Sequence, residues 1–169
     1  MTDLRARTDS PEATRALAGA LAGVARPGDL VLLVGDLGAG KTTFAQGFAA
    51  GLGVGDTVTS PTFTLVRPHP CRHPTIRTLH HADLYRLDHL RDVVELGLGE
   101  LVEEEAVALV EWGDMAGPVL APGALRVSLA PGPGGDEERA LTVTAEGPAW
   151  EDRLGALAGA LRPWAGGEG

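Results

Sequence analysis

Asparagine is absent from this 169-residue chain, and lysine occurs once, as Lys41, among 14 basic residues. A GTPase of the Asn-Lys-x-Asp type is thereby excluded, since nothing remains from which to build its guanine-reading motif. Arginine stands wherever either base serves, so the one retained ammonium marks a place where a compact cation does what a planar guanidinium cannot. The single cysteine, Cys71, excludes an internal disulfide framework and a metal site built from cysteine alone. Long apolar runs are missing too: the longest, Ala16 to Ala25, has ten residues where a membrane span needs about 20. The start of the chain, with Asp3, Arg5, Arg7, Asp9, Ser10, Pro11 and Glu12, lacks the basic opening of a secretory signal, so the expected location is the cytoplasm, with no membrane partner. Positive charge is in the minority, 14 basic against 23 acidic residues for a net −9. Such a chain is poorly suited to gripping a phosphate backbone across a broad face, and a partner is expected to hold any nucleic acid.

With 44% hydrophobic and 22% charged residues in 17.4 kDa, the composition is that of one ordinary globular domain, residues 1–169. Ser10-Pro11-Glu12 predicts a helix start, with a hydroxyl cap, proline in the first turn and an acid beside it. Leu17, Ala20, Leu21 and Val24 continue at helical spacing to Arg26-Pro27-Gly28. Leu30 to Val34 reads as a strand buried on both faces. A helix is expected from about Lys41 to Leu52, closed by Gly51, Gly53 and Gly55. Thr62 to Arg67 and Ile76 to Ala82 are strand candidates joined by a Pro68 to Pro74 loop. A short helix is expected over Asp88 to Leu96, then an acidic, partly helical stretch over Leu98 to Glu105. Val107 to Val110 is a second buried strand, and Leu125 to Leu129 with Ala140 to Val143 bracket a hairpin loop, Pro131 to Glu138. A last helix is expected over about Ala149 to Leu161, with Trp150, Leu154, Leu157, Leu161 and Trp164 on one stripe that packs on the sheet or, as the alternative, binds a partner. The order of elements is α/β, with a mixed central sheet flanked by helices.

Gly35-Asp36-Leu37-Gly38-Ala39-Gly40-Lys41-Thr42 satisfies G-x-x-x-x-G-K-[ST] between an apolar strand and a helix, the setting that a P-loop requires. Phosphate oxygens need several backbone N–H groups converging at short range, which Cβ atoms obstruct; hence Gly35, Gly38 and Gly40. Lys41 is suited to the β- and γ-phosphates, the Thr42 hydroxyl to Mg²⁺, and Thr43 to a further phosphate bond. Such a site also needs an acid near the metal. Glu111 follows the apolar Val107-Ala108-Leu109-Val110 in the Walker B manner, and Asp83 ends the strand containing His81, where a carboxylate emerges at a sheet edge. Ser60-Pro61-Thr62-Phe63, which begins 19 residues after Lys41, suits a switch segment in which Thr62 serves metal, phosphate or attacking water, or else forms a plain turn. His69, Cys71 and His73 alternate as metal ligands do, but three prolines interrupt them and no fourth ligand follows, so they are read as an exposed loop. Residues 67–91 carry Arg67, Arg72, Arg77, Arg86 and Arg91 against Asp83 and Asp88, a local +3 in a chain whose remainder sums to −12. That segment reads as a solvated hairpin or a docking patch.

The order of these blocks closely resembles the TsaE family, bacterial ATPases of tRNA threonylcarbamoyladenosine biosynthesis. The blocks are Gly35 to Phe44, Ser60-Pro61-Thr62-Phe63-Thr64-Leu65-Val66, His81-Ala82-Asp83-Leu84-Tyr85-Arg86-Leu87 and Val110-Glu111-Trp112. The resemblance covers roughly residues 10–130 and implies a small P-loop fold that hydrolyses ATP with Mg²⁺. It further implies support for attaching a threonylcarbamoyl group to an adenosine beside the tRNA anticodon. The transfer itself would belong to the TsaB–TsaD heterodimer, through which tRNA would be met. The same resemblance puts phosphate on Gly35 to Thr43, metal on Thr42 and Glu111, a catalytic or metal-linked role on Asp83, and Thr62 in a switch-like segment. It sets the nucleotide base near the N-terminal segment, at Ser10 or Glu12. Arg86 is the candidate arginine in cis. Two rival readings are a P-loop small-molecule kinase, which has no evident use for Ser60 to Val66 or Glu111-Trp112, and a non-enzymatic ATP-dependent switch.

Overall fold

The computed structural model describes residues 2–36, 38–59, 66–83, 102–103, 105–112 and 123–166. Strands β1 (Thr2–Thr8), β2 (Leu30–Val34), β3 (Val66–Pro70), β4 (Thr78–Asp83), β5 (Ala106–Trp112), β6 (Ala124–Pro131) and β7 (Arg139–Glu146) form one sheet in the order β1-β7-β6-β2-β5-β4-β3. The four inner strands β6, β2, β5 and β4 run parallel, while β7, β1 and β3 are antiparallel to their neighbours. Leu30 to Leu33 and Val107 to Val110 are buried throughout, which is why they read as unbroken apolar runs rather than as alternations.

Helices α1 (Pro11–Ala22) and α2 (Lys41–Gly51) lie together on one face. Leu17, Leu21, Phe44 and Phe48 there share a core with Val31, Leu33, Leu109 and Val127. Ser10 caps α1 as its sequence predicts, its Oγ accepting from the Ala13 amide at 3.1 Å. The two helices cross at Gly47, where a Cβ would collide with the backbone of Arg15.

Several expectations need correction. Residues 2–8 form an edge strand whose inward Ala6 and Thr8 are buried. The C-terminal helix is two pieces, α3 (Pro148–Glu151) and α4 (Leu154–Leu161), followed by a 3₁₀ turn over Arg162–Trp164. Arg153 stands at the break. Its guanidinium turns inward over the Trp150 ring and grips Asp29 with two bonds of 2.7 Å, both residues being buried. Trp150, Leu157 and Leu161 are buried in the main core, so the partner-binding reading of that stripe falls. The helix's second piece, α4, packs against α1, and its first, α3, against β7. The supposed loop from Pro68 begins inside β3, where His69 is only 1% exposed. Proline is tolerated there because β3 is the outermost strand: the Cys71 amide bonds inward to the Arg77 carbonyl, so by alternation positions 68 and 70 face away from β4. Residues 62–65, the helix expected over 88–96, and most of 98–105 lie outside the described residues.

Candidate functional site

The loop of residues 35–40 joins the end of β2 to the start of α2. Gly38 and Gly40 have φ of +83° and +101°, left-handed values that a side chain would strain. Gly40 caps α2 without any side-chain bond, which leaves the first-turn amides and the positive end of the helix dipole turned to the loop. A Cβ on Gly35 would come within 2.7 Å of the Leu129 carbonyl oxygen, so β6 holds the loop from behind. Lys41 folds back over the loop, its Nζ donating to the Gly35 carbonyl at 2.8 Å. Asp36 is exposed and Ala39 buried, Thr43 sits in the first helical turn, and Leu37 lies outside the described residues.

Because β2, β5 and β4 are parallel neighbours, their C-terminal ends meet beside this loop. Asp83 is paired with Glu111 in register, and so reaches the site from an internal strand's end rather than from a sheet edge. Glu111 is 3% exposed; its Oε1 accepts from the Thr42 hydroxyl at 3.4 Å, and its Oε2 lies 2.7 Å from His81 Nε2. Since a carboxylate accepts, the proton of that second bond sits on His81 Nε2. Lys41, Thr42, Asp83 and Glu111, drawn from three separated stretches of sequence, thus meet at one mouth. Their hydroxyl and carboxylate oxygens are hard donors of the kind Mg²⁺ takes. Among the described residues no cluster of three His, Cys, Asp or Glu side chains is placed to hold a metal.

One cation at this mouth went unrecognised in the sequence. Arg139, opening β7, donates from Nε to the Ala39 carbonyl at 3.1 Å and from Nη2 to the Gly38 carbonyl at 3.4 Å. Its Nη1 holds the carbonyls of Asp136 and Glu138 at 2.6 and 2.9 Å. The guanidinium therefore pins the 131–138 loop to the glycine-rich loop. No local pattern signals this, because the partners are about a hundred positions apart. Arg86 and Thr62 lie outside the described residues.

Beside Glu138, a cavity of about 450 Å³ is lined by Arg7, Thr8, Asp9 and Trp164. Ser10 is spent on the helix cap, so its neighbours, not Ser10, face this space. The His-Pro-Cys segment is no ligand set. His73 Nδ1 accepts from the Thr75 and Ile76 amides at 3.2 Å, Cys71 bridges Val54 through its backbone with its thiol pKa pushed up by burial, and His69 is internal. Of its arginines, Arg77 pairs with Glu105 at 2.8 Å, while Arg67 and Arg72 are exposed.

The family model described as "Threonylcarbamoyl adenosine biosynthesis protein TsaE" matches residues 8–140. A protein of Bacillus subtilis (strain 168), named "tRNA threonylcarbamoyladenosine biosynthesis protein TsaE", is 41% identical over 151 residues, covering 89% of this chain and 91% of its own. One of the same name from Streptomyces coelicolor is 42% identical, over 80% of this chain and 93% of its own. The crystal structure of Bacillus subtilus YdiB superposes with a TM-score of 0.73 at 38% identity, covering 93% of this chain and 95% of that one.

Proposed function

The chain belongs to the TsaE family, and from that premise we propose that it is the Mg²⁺-dependent ATPase of tRNA threonylcarbamoyladenosine biosynthesis, acting with the TsaB–TsaD pair. The observation that carries this reading is the junction of Thr42 with Glu111 at the mouth of the glycine-rich loop. Loop amides and α2 supply fixed positive potential for a triphosphate. Lys41 is held ready by a carbonyl that it can exchange for phosphate oxygen. Thr42 and Glu111 would hold the cation, which when bound neutralises charge developing on the β- and γ-phosphates. Asp83, in register with Glu111, would orient the attacking water or complete the metal shell. Arg139 keeps the loop in its phosphate-receiving shape. The cavity of about 450 Å³ by Thr8 and Trp164, within the usual range for small-ligand sites, would take the base.

Among the described residues no helix is long and apolar enough to cross a membrane; the proposed activity on tRNA would be carried out in the cytoplasm. The charge of −9 leaves tRNA contact to the partner complex. ATP hydrolysis with and without TsaB–TsaD and tRNA tests the reading. Lys41→Ala is expected to weaken nucleotide use at least about tenfold, from the roughly 1.5–3 kcal/mol of a charge-assisted contact. Glu111→Ala should depress turnover more than nucleotide binding. A Glu111→Ala protein that hydrolyses ATP at the normal rate would falsify the metal assignment.

A further inference from the structure

We propose that His81 is a positioning residue for the metal carboxylate: its Nε2–H fixes one oxygen of Glu111 so that the other stays turned to Thr42 and the cation. The inference rests on the nucleotide reading above. His81 stands on β4 opposite Leu109 and reaches diagonally along the parallel pair to Glu111, at 2.7 Å. Both side chains are shut away from water, 0% and 4% exposed. Nothing about packing asks for imidazole here. Apart from Glu111 and Asp83, its strand neighbours on that face are the leucines Leu79 and Leu109, and among the described residues His81 Nδ1 has no hydrogen-bond partner. The His69 ring lies 6.5 Å away; among the described residues neither of its nitrogens has a hydrogen-bond partner, and its Nδ1 stands 3.8 Å from Asp56 Oδ2. A buried polar ring with one unmet atom is destabilising, which an apolar residue of like size would avoid. Its single bond is the one feature a leucine could not supply. That bond is made to the oxygen of Glu111 not facing Thr42. A carboxylate anchored at one oxygen loses the rotation that would otherwise turn both oxygens away from the loop, which is how outer-shell partners tune a metal site.

The test is Mn²⁺ titration of the full chain with saturating ATP, followed by electron paramagnetic resonance, with ATP affinity measured separately in EDTA. Gln places an amide nitrogen where Nε2 sits, whereas the shorter Asn does not reach. His81→Leu and His81→Asn should weaken Mn²⁺ binding about 10- to 100-fold, in line with the loss of an outer-shell partner, and leave metal-free ATP affinity unchanged; His81→Gln should stay close to the parent. A folded His81→Leu protein with parental Mn²⁺ affinity overturns the inference. Where the leucine variant does not fold, equal Mn²⁺ affinity for the Gln and Asn variants overturns it instead. A parent chain that takes up no Mn²⁺ with ATP defeats the nucleotide reading and this inference together. Parental binding with no difference among the variants defeats this inference alone.

Discussion

Removing the Arg139 guanidinium asks how much of the phosphate loop's shape is held from outside the motif. Arg139→Ala deletes a sound bond to the Ala39 carbonyl, at 3.1 Å, and a marginal one to Gly38, at 3.4 Å. It also cuts the two anchors to Asp136 and Glu138 that stiffen the adjoining loop. Hydrogen bonds from a charged donor contribute about 1.5–3 kcal/mol apiece when sheltered. This side chain is only half-buried, so solvent screening reduces the pair to about 1–2 kcal/mol. If the phosphate-receiving loop conformation loses that much, ATP affinity falls by about 5- to 30-fold. Titration with a fluorescent ATP analogue in Mg²⁺ measures it directly. Arg139→Lys should recover little, because one ammonium cannot span four carbonyls that a planar fork meets at once. Unchanged affinity in the alanine variant, with the chain folded, would refute the idea that β7 sets the loop.

Two further outcomes follow from packing and protonation. Gly47→Ala drives a methyl into the Arg15 backbone where α1 and α2 cross. An overpacked contact of this kind costs about 1–3 kcal/mol, to be read as a lower urea midpoint with an unchanged slope. The pKa of His69 lies below its ordinary value of 6.5, chiefly through burial and then through His81 and Arg67, with Asp56 opposing weakly. The unfolded chain therefore binds the extra proton first as pH falls below about 6.5, so stability at pH 7.5 should exceed that at pH 5.5. His69→Phe should flatten that dependence in paired denaturation curves; an undiminished slope would place the titration elsewhere.

The parts of the fold legible in sequence are those written in local pattern. Ser10-Pro11 announced α1, the run from Leu30 announced β2, and the glycines before Lys41 announced the loop and α2. Strand β5, with Glu111 next to its end, was legible for the same reason. The rest depended on partners far along the chain. Strand β1 carries Asp3, Arg5 and Arg7 on its outward positions and Leu4, Ala6 and Thr8 inward, so it reads as a polar leader until β7 lies beside it. Arg153 reads as a helical surface residue until Asp29 draws it in. Neither Arg139 nor His81 carries a local signal of its role, because each matters only through backbone or side-chain atoms brought close by the sheet. Flanking prolines make His69 read as part of a loop, yet an outermost strand accepts prolines that an inner one would not.

Those prolines have a consequence for how molecules of this chain meet one another. With Pro68 and Pro70 on its outer rim, β3 offers two fewer donors to an incoming strand. At the opposite rim Asp3, Arg5 and Arg7 are exposed, and burying them in a shared ladder would strip their hydration. Both open borders of the sheet are thus guarded against edge-to-edge aggregation by different chemistry, missing donors on one side and solvated ions on the other.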